Sequence, residues 1–472
     1  MTPARQKSSA RTSAAFFDLD RTLLLGASGP TISSALRTHG LLPERSIPGE
    51  SLVFAVFNVF GETLPSMFLT RQGARAAKGW SLSAVEAAGR DLAEKLAAKV
   101  EPFARATLED HQQEGRRIVL ATTTPYHLVK PFADVMGFDD VLATRYRVAK
   151  DGTYDGSIDG EFVWSLGKAR MVEAWARANV VDLGESYAYS DSFYDIPMLS
   201  KVGNPVAVNP DPRLFAYAVA RRWPRVWFNA PDGVPKPLGI ELQDVVNTVA
   251  QPQLWPWLSI ELNNLENLPE SGSVIMTPNH RSYLDPAIVA HAAGRRGRPA
   301  RFLSKKEVTD APLVGSLVKA LGAIRVDRGS GSEQPMVEAA RALGAGELIA
   351  VFPQGTIPRG PAFFDPVLKG RYGAVRLAQQ TGAPVVPVGI WGTEKAWPRA
   401  SRVPYVMNLA DPPTVTVTVG RPYRIDGDAD VEAATVELMA RIVDLLPPEA
   451  SEAHEPTEAE LALTYPGGRI PE

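Results

Sequence analysis

The sequence contains no cysteine among its 472 residues. Disulfide bonds, thiolate metal sites and thiol nucleophiles are therefore excluded. The formal net charge is only −3, which gives no electrostatic argument for binding nucleic acid. Long apolar runs are also missing, since the nearest one, residues 51–61, contains Asn58 and is followed by Glu62. The first dozen residues lack the apolar core of a signal peptide, so we expect a cytoplasmic protein.

The composition that remains is typical of two globular α/β domains. Apolar residues make up 45% and charged residues 22% of the chain, and each half is long enough to bury a core. Short β-type runs alternate with helical patterns, which predicts parallel sheets. We predict a disordered basic tail at 1–12, a first domain at 13–228, a linker at 229–250, a second domain at 251–447 and a disordered tail at 448–472.

Three predicted strands of the first domain each end near a polar residue. These strands are predicted at 14–19, 118–121 and 187–190. Asp18, Thr122 and Asp191 lie at or just after the ends of the three strands. Because ligands of such sheets bind at the carboxyl ends of the strands, we expect the three side chains to converge on one edge.

The residue types on this predicted edge suit phosphoryl chemistry. After the first strand, Asp18 and Asp20 stand two residues apart, where a carboxylate and a backbone carbonyl can hold a hard cation such as Mg²⁺. One carboxylate can attack phosphorus as a nucleophile, and the other can act as general acid and then general base. The chain adds an anion cradle, a cation at the start of a helix and two more acids, at Thr122–Pro125, Lys168, Asp191 and Asp195.

This ordered set resembles the haloacid dehalogenase-like phosphatase superfamily, in its phosphoserine-phosphatase-like branch, over residues 14 to about 220. The stretches that match are Asp18–Thr22, Leu120–Pro125, Gly167–Lys168 and Ser190–Asp195. The resemblance implies a parallel-sheet, Rossmann-like phosphatase core with a helical cap at about 25–105. It also implies these roles: nucleophile Asp18, acid and base Asp20, phosphate ligands Thr122 and Lys168, and Mg²⁺ ligands Asp18, Asp20 and Asp191, supported by Asp195.

Simpler interpretations exist for each element of this set. The two aspartates could merely cap a helix, and Lys168 could be a solvated surface charge. Their common order favours the phosphatase interpretation. The predicted cap also contains an unusually apolar stretch, Leu52–Phe60, which fits either ordinary packing of a cap helix or a surface for an acyl chain.

A histidine and an aspartate form a second polar pair in the second domain. His280 follows a predicted strand at 274–277, and Asp285 lies five residues later. If this stretch enters a helix, Asp285 can hold one ring nitrogen and leave the other free to take a proton from an alcohol. Without a serine nucleophile, the pair suits direct attack of a substrate hydroxyl on an activated acyl group. An isolated pair at this spacing would instead favour a structural histidine.

Further blocks around this pair resemble the glycerolipid acyltransferases of the 1-acylglycerol-3-phosphate acyltransferase type, over about 255–425. The matching blocks are Asn279–Asp285, Gly322–Arg328, Phe352–Thr356 and Val385–Ile390. The resemblance implies a second α/β domain in which His280 is the general base and Asp285 orients it. The acyl donor would be acyl-CoA or acyl carrier protein. The implied acceptor site contains Lys306, Arg325, Arg328, Gly355 and Thr356.

One block departs from the pattern of this family. Relatives usually have Phe-Pro-Glu-Gly-Thr-Arg, whereas this chain has Gln354 in place of the glutamate and Ile357 in place of the arginine. An arginine fork binds phosphate strongly. Without that arginine, the motif alone does not identify the acceptor head group as a phosphate. Arg359 stands two residues further on and is a candidate replacement.

Together these patterns predict a bifunctional lipid enzyme that associates peripherally with a membrane. Trp255–Trp257 and the run Pro312–Ala323 are candidates for shallow insertion or for packing between domains. Two alternatives remain: an acyltransferase whose first domain is catalytically silent and binds or regulates, or an independent phosphoserine phosphatase fused to it.

Overall fold

The computed structural model describes residues 13–24, 26–43, 64–230, 234, 236, 241, 243, 256–305, 322–326 and 334–470. Chain contacts divide the protein into two compact units. The first comprises Met1–Asp232 and Pro237–Gly239, and the second comprises Gly233–Lys236 and Ile240–Glu472. The predicted tail at 1–12 and the apolar stretch Leu52–Phe60 lie outside the described residues.

The first unit is built on one mostly parallel sheet. Its strands are β1 (Ala14–Phe17), β2 (Arg117–Pro125), β3 (Asp140–Val148), β4 (Tyr154–Asp159), β5 (Tyr187–Ser190), β6 (Asn204–Val208) and β7 (Arg225–Val226). Within the described part of the chain their order is β4-β3-β2-β1-β5-β6-β7, and only β3 and β4 pair antiparallel. This confirms the prediction of an α/β fold and places β1 between β2 and β5.

Strand β1 forms because its four apolar residues, all buried, face helices on both sides of the sheet. Phe17 pairs in register with Leu120 of β2 and Tyr189 of β5. Its ring stacks on that of Tyr189 with the centroids 4.5 Å apart. This packing fixes the end of β1, and with it the position of Asp18.

Helices precede β2 and follow several of the strands of the first unit. They are α1 (Gly29–Thr38), α2 (Leu64–Ala76), α3 (Leu82–Ala97), α4 (Pro102–Gln113), α5 (Tyr126–Val135), α6 (Leu166–Ala178), α7 (Ile196–Leu199) and α8 (Pro212–Arg221). The helices between β1 and β2 occupy the part of the chain for which the sequence predicts a helical cap. Apolar residues recur at helical spacing in α3, where Val85, Leu92 and Leu96 on one face are buried.

The second unit contains a second mixed sheet. Its strands are β8 (Ser259–Asn263), β9 (Val274–Pro278), β10 (Ala300–Lys305), β11 (Ala323–Val326), β12 (Leu348–Ala350), β13 (Val385–Trp391) and β14 (Thr414–Val419). Over the described residues the order is β11-β10-β12-β9-β13-β14-β8, with β13 and β14 antiparallel and the other pairs parallel. Strand β9 therefore lies between β12 and β13.

The helices of this unit alternate with its strands over most of the sheet. They are α9 (Asp285–Gly294), α10 (Gln334–Gly344), α11 (Gly373–Thr381), α12 (Thr393–Ala396), α13 (Val431–Val443) and α14 (Glu458–Leu463). Of the described residues of the predicted linker, 229 and 230 belong to the first unit, and 234, 236, 241 and 243 belong to the second. Glu241 is buried against Arg301 of β10, with two contacts of 2.6 and 2.9 Å between the carboxylate and the guanidinium.

The tail at 448–472 differs from the prediction of disorder, because helix α14 lies within it. Thr457 and Glu460 form a capping box that stabilises the first turn of the helix. The helix end contacts the rest of the unit, since Leu463 accepts a hydrogen bond from Ala400 N and the Thr464 hydroxyl accepts one from Gly360 N. These contacts outweigh the Glu-, Pro- and Gly-rich composition on which the prediction depended.

Candidate active sites

The first candidate site lies at the carboxyl ends of β2, β1 and β5. Thr122 is buried at the end of β2, and Asp18 and Asp191 follow β1 and β5 directly. The hydroxyl of Thr22 stands between the two aspartates, 3.4 Å from Asp18 Oδ2 and 3.5 Å from Asp191 Oδ1. Asp18 and Asp191 therefore lie together at this edge of the sheet, and Thr122 stands on the neighbouring strand β2.

Lys168 is fully buried and contacts two carboxylates of this site. Its Nζ lies 2.8 Å from Asp18 Oδ1 and 2.6 Å from Asp195 Oδ2. The Ser190 hydroxyl donates to the same Asp195 oxygen at 2.7 Å. Gly167 permits the close approach of the helix start, because a side chain there would meet the Phe162 carbonyl oxygen at 2.1 Å. Lys168 is thus an interior cation at the site rather than a solvated charge.

Asp20 contacts the start of α1. Its carboxylate accepts a hydrogen bond from the backbone N–H of Ser28. Burial raises the pKa of the Asp20 carboxyl, and the hydrogen bonds from Ser28 oppose that rise. A carboxyl group with a raised pKa suits a proton donor. The helix-cap interpretation therefore applies to Asp20 in part, whereas Asp18 makes no side-chain cap.

Burial also raises the pKa of Asp18, to about 7, although Lys168 beside it acts in the opposite direction. The site contains four carboxylates, those of Asp18, Asp20, Asp191 and Asp195. In the described part of the chain, Lys168 forms ion pairs with Asp18 and Asp195, and Arg21 Nε lies 3.0 Å from Asp191 Oδ2. With all four carboxylates ionised, the site would carry more negative than positive charge, which a divalent cation would offset.

The residues present fit a magnesium ion with a small donor set. Asp18 and Asp191 are the two carboxylates that the Thr22 hydroxyl brings together. Among the residues that the structure describes, no group of three or more acidic or histidine side chains has the arrangement of a metal cage. Asp18 and Asp191 would therefore need further oxygens, such as a backbone carbonyl and water, which are ligands that Mg²⁺ accepts.

Arg21 and Thr22 are site residues to which the sequence analysis assigned no role. Arg21 adopts φ +58°, a left-handed conformation that non-glycine residues rarely take. Thr22 accepts a hydrogen bond from Asp191 N at 3.0 Å, so it ties β5 to the turn after β1. Both lie inside the matched stretch Asp18–Thr22, so their position next to the aspartates could have identified them as site residues.

The second candidate site lies at the carboxyl end of β9, between β12 and β13. His280 Nδ1 is 2.7 Å from Asp285 Oδ2, as the sequence predicts. The same carboxylate oxygen accepts hydrogen bonds from Arg281 N at 2.6 Å and Ser282 N at 2.8 Å, and Oδ1 accepts one from the Thr393 hydroxyl at 2.6 Å. Asp285 is the first residue of α9 and is fully buried. It is therefore held rigidly against the imidazole.

Neighbouring strands fix the position of His280 itself. Gln354, after β12, accepts the backbone N–H of His280 through its side-chain oxygen at 2.6 Å. The Phe352 ring stacks on the imidazole with centroids 4.3 Å apart. Asn279 exchanges hydrogen bonds with both backbone groups of Ile390 in β13, at 2.9 and 2.6 Å. Gln354, one of the two departures from the family pattern, thus serves to place the histidine.

The predicted acceptor residues are only partly described. Gly355 forms a tight turn with φ +72°, and a side chain there would meet Arg371 at 2.8 Å, while Thr356 beside it is exposed. The backbone of Arg325 lies in β11, but its side chain is outside the described set, as are Lys306 and Arg328. Convergence of these five residues therefore stays a prediction.

Arg399 is a cationic residue near the altered block that the sequence analysis missed. It is buried, its guanidinium donates to the backbone carbonyl of Ile357, and its Nε has no hydrogen-bond partner among the described residues. Burial lowers the pKa of Arg399, and the charge of nearby Arg359 lowers it further. Two arginines thus lie close together where Ile357 replaces the motif arginine. No periodic pattern or motif marks Arg399 in the sequence.

The predicted membrane contacts are tested only in part. Trp257 is half-buried against the core of its own unit, which is neither insertion nor packing between domains, and Trp255 lies outside the described residues. The run Pro312–Ala323 is also outside them, apart from its last two residues. Within the described part of the chain, no helix has the length and apolarity to span a bilayer.

Two family models match the chain, one for each unit. The model for haloacid dehalogenase-like hydrolases matches residues 15–200, and the Acyltransferase model matches residues 259–391. The protein therefore belongs to the haloacid dehalogenase-like hydrolases in its first unit and carries an acyltransferase domain in its second. The resemblances to a haloacid dehalogenase-like hydrolase and to an acyltransferase are therefore confirmed as family matches.

Relatives and a solved structure resemble parts of the chain. It is 34% identical to "Inhibition of morphological differentiation protein" of Streptomyces azureus, over 46% of this chain and 79% of the relative. It is 34% identical to "Phosphoserine phosphatase SerB1" of Mycobacterium tuberculosis, over 45% of this chain and 70% of that protein. The crystal structure of the 1-acyl-sn-glycerophosphate acyltransferase PlsC from Thermotoga maritima is 21% identical, covers 43% of this chain and 77% of its own, and has a TM-score of 0.33.

Proposed function

We propose that the protein is a bifunctional lipid enzyme that works at a membrane surface. Its second unit would transfer an acyl chain from acyl-CoA or acyl carrier protein to the hydroxyl of a lysophospholipid such as 1-acylglycerol-3-phosphate. Its first unit would hydrolyse a phosphomonoester with Mg²⁺ through an aspartyl-phosphate. The observation that carries the proposal is the His280–Asp285 contact of 2.7 Å in a domain that matches acyltransferases.

Acyl transfer follows from the orientation of the imidazole. Asp285 accepts from Nδ1, so Nε2 of His280 is free to take the proton of an acceptor hydroxyl. The hydroxyl oxygen then attacks the thioester carbonyl carbon, the carbon–sulfur bond breaks, and the thiol leaves with the proton held by His280. Asp285 stabilises the imidazolium that forms between these steps.

Phosphate release would use the carboxylates of the first unit. The Asp18 oxygen attacks phosphorus, the ester bond breaks, and the leaving oxygen takes a proton from Asp20. Asp20 then removes a proton from water, which attacks the aspartyl-phosphate and frees phosphate. Lys168 and Thr122 would bind the phosphoryl oxygens. Bound Mg²⁺, held by Asp18 and Asp191, would offset the negative charge of phosphate and carboxylates.

A second candidate for the first unit is hydrolysis of phosphoserine. It is favoured by the 34% identity to a protein named phosphoserine phosphatase. The apolar stretch Leu52–Phe60, on the predicted cap, favours a lipid instead. A catalytically silent first unit is the least supported alternative, because Asp18, Lys168 and Asp191 are all present at one site.

The experiment that tests the proposal offers the purified protein several substrates at once. Labelled acyl-CoA is incubated with a panel of lysolipids, and the products are identified by mass spectrometry. A parallel panel measures phosphate release from phosphoserine, lysophosphatidic acid and phosphatidic acid with Mg²⁺. Acylation of none of the lysolipids would refute the first activity, and release from none of the phosphomonoesters would refute the second.

Sequential action is the reason we propose for the fusion of the two units. Acylation of a lysolipid phosphomonoester leaves a product with a terminal phosphate, which the first unit could remove to give a neutral diacyl lipid. Tethering raises the effective concentration of that product. With acyl-CoA and lysophosphatidic acid supplied, the intact protein should accumulate dephosphorylated diacyl lipid, whereas Asp18→Asn should stop at the phosphorylated lipid. Hydrolysis of phosphoserine alone would leave two independent enzymes.

A further inference from the structure

A loop between α12 and β14 exposes apolar side chains in close succession. We call residues 402–409 the apolar loop. Five of its large apolar side chains are exposed by two-fifths or more: Val403, Tyr405, Val406, Met407 and Leu409. Met407 is 84% exposed and Val403 is 64% exposed. Single exposed apolar residues are ordinary, but a continuous exposed cluster usually marks a surface that binds a partner.

The base of the apolar loop is attached to the residues that hold the second candidate site. Tyr405 N donates to the Ala396 carbonyl at 2.9 Å, and the Trp397 indole donates to the Ser401 carbonyl at 3.2 Å. The Trp397 carbonyl in turn accepts from the hydroxyl of Ser282, two residues after His280. The base of the loop is therefore linked through Trp397 to Ser282, and a surface that covers the loop would lie beside the second candidate site.

The charged side chains next to the apolar loop are mostly cationic. Residues 394–411 contain Lys395, Arg399 and Arg402 against Glu394, which pairs with Arg281, and Asp411, which is exposed. Lys395 and Arg402 are exposed, whereas Arg399 is buried. Exposed apolar groups flanked by exposed cations match the layered chemistry of an anionic lipid surface, with phosphate groups outside and acyl chains beneath.

We propose that the apolar loop inserts into the surface of an anionic lipid bilayer and thereby places the acyltransferase site at the membrane. Val403, Tyr405 and Met407 would enter the region between head groups and acyl chains, and Lys395 and Arg402 would remain at the phosphates. The inference rests on the proposed function for its choice of a lipid occupant. Neither Trp255–Trp257 nor Pro312–Ala323, the contacts predicted from the sequence, is required for it.

Vesicle sedimentation with the full-length protein tests the inference without any turnover. The vesicles contain either phosphatidylcholine alone or phosphatidylcholine with phosphatidylglycerol. The wild-type protein should bind the anionic vesicles more tightly, and the doubly substituted Val403→Asp, Met407→Asp protein should lose at least about tenfold in partition constant. Arg402→Gln should lower binding to the anionic vesicles about fivefold, with little effect on neutral ones.

Val436→Asp is the matched control, because Val436 is 66% exposed on α13 of the same unit. It should leave vesicle binding unchanged. Equal losses for the control and the double variant would overturn the inference, and so would wild-type binding by the double variant. Light scattering of the free proteins addresses another occupant: a dimer that the double variant dissociates, with unchanged vesicle binding, would make the loop a protein interface.

The outcomes separate this inference from the proposed function. Circular dichroism should show the same melting temperature for the wild-type protein and all variants, because the altered side chains are exposed. Vesicle binding that depends on the loop, without acylation of any lysolipid, would refute only the acyltransferase activity. Acylation of a short-chain soluble acceptor, without binding that depends on the loop, would refute only the membrane contact.

Discussion

The two candidate sites occupy equivalent places in two different sheets. In the first unit β1 lies between β2 and β5, and in the second unit β9 lies between β12 and β13. The functional groups follow the ends of these strands in both units. Their charges differ, however: the first site pairs Lys168 and Arg21 with three carboxylates, whereas the second pairs one carboxylate with one imidazole.

This difference shows that the sheet supplies positions and the local side chains supply the chemistry. The carboxylate excess of the first site makes a bound cation part of its expected function. The second site needs no bound cation, because the Asp285 carboxylate is already hydrogen-bonded and the imidazole of His280 itself takes up and returns the proton. A substitution or a removal of metal that lowers the activity of one site should therefore leave the activity of the other unchanged.

The largest effect is expected from Asp18→Asn. The amide has no nucleophilic oxygen anion, so phosphate release should fall by several orders of magnitude. Acyl transfer should be unchanged, since His280 and Asp285 belong to the other unit. The measurement is phosphate release and lysolipid acylation by the same preparation. Retained phosphatase activity would show that Asp18 is not the nucleophile.

Removal of divalent metal should produce nearly as large a contrast. Chelation with EDTA should abolish phosphate release and leave acyl transfer intact, and added Mg²⁺ should restore the lost activity. Calorimetric titration with Mg²⁺ should show binding to the wild-type protein and much weaker binding to Asp191→Asn. Phosphate release that persists after chelation would contradict the metal site.

His280→Ala tests the second half of the comparison. Loss of the general base should lower acyl transfer by roughly a hundredfold or more, with phosphate release unchanged. Asp285→Asn should also lower it, because the amide no longer fixes the ring tautomer. Acylation at the wild-type rate by His280→Ala would leave the histidine with a structural role only.

A smaller effect is expected where the acceptor head group binds. Arg399→Gln should lower kcat/KM for lysophosphatidic acid by roughly tenfold to a hundredfold, as expected for a lost charge-assisted hydrogen bond to phosphate of about 1.5–3 kcal/mol. Activity on a lysolipid without a phosphomonoester should change little. Arg359→Gln distinguishes the two arginines. Equal losses on both acceptors would show that Arg399 stabilises the segment around Ile357 and does not bind the phosphate.

Ile357→Arg is a poorer test of the same question. The Ile357 side chain is only 3% exposed, so an arginine there would bury an unpaired charge next to Arg399. We expect a loss of stability on the order of 3–5 kcal/mol. A denaturant titration would measure it, and unchanged stability would mean that the new side chain reaches solvent.

The smallest effect is expected from Gln354→Glu. A carboxylate oxygen can accept the His280 N–H as the amide oxygen does now, so acyl transfer should change less than about threefold. Gln354→Ala, which leaves that amide without its partner, should cost more. The ratio of the acyl-transfer rates of Gln354→Glu and Gln354→Ala measures how much the hydrogen bond to the backbone of His280 contributes.

Much of both sites was predictable because their residues stand in short blocks at strand ends. Asp18, Thr122 and Asp191 follow apolar runs, and the His280–Asp285 contact follows from a strand, a turn and a helix start. Arg399 was not predictable, because it reaches Ile357 from a distant segment and no local pattern marks it. Contacts of this kind depend on tertiary packing rather than on sequence spacing.

The predicted fold fails where local composition and tertiary contacts disagree. Strand β10 is hard to predict from the sequence because it contains Arg301, whose charge is paired with Glu241 and Glu347 in the interior. Helix α14 escaped prediction because its segment has the composition of a disordered tail. The spacing of Thr457 and Glu460 was a signal for a capping box and would have predicted the helix start.

The donors that surround Asp285 also limit how the second site can change in evolution. Two of them are the backbone amides of Arg281 and Ser282, so an apolar residue at position 285 would leave buried donors without an acceptor. The backbone therefore restricts position 285 to residues that can accept these hydrogen bonds. Exposed Arg359 carries no such constraint, so its charge can change while His280 and Asp285 stay as they are.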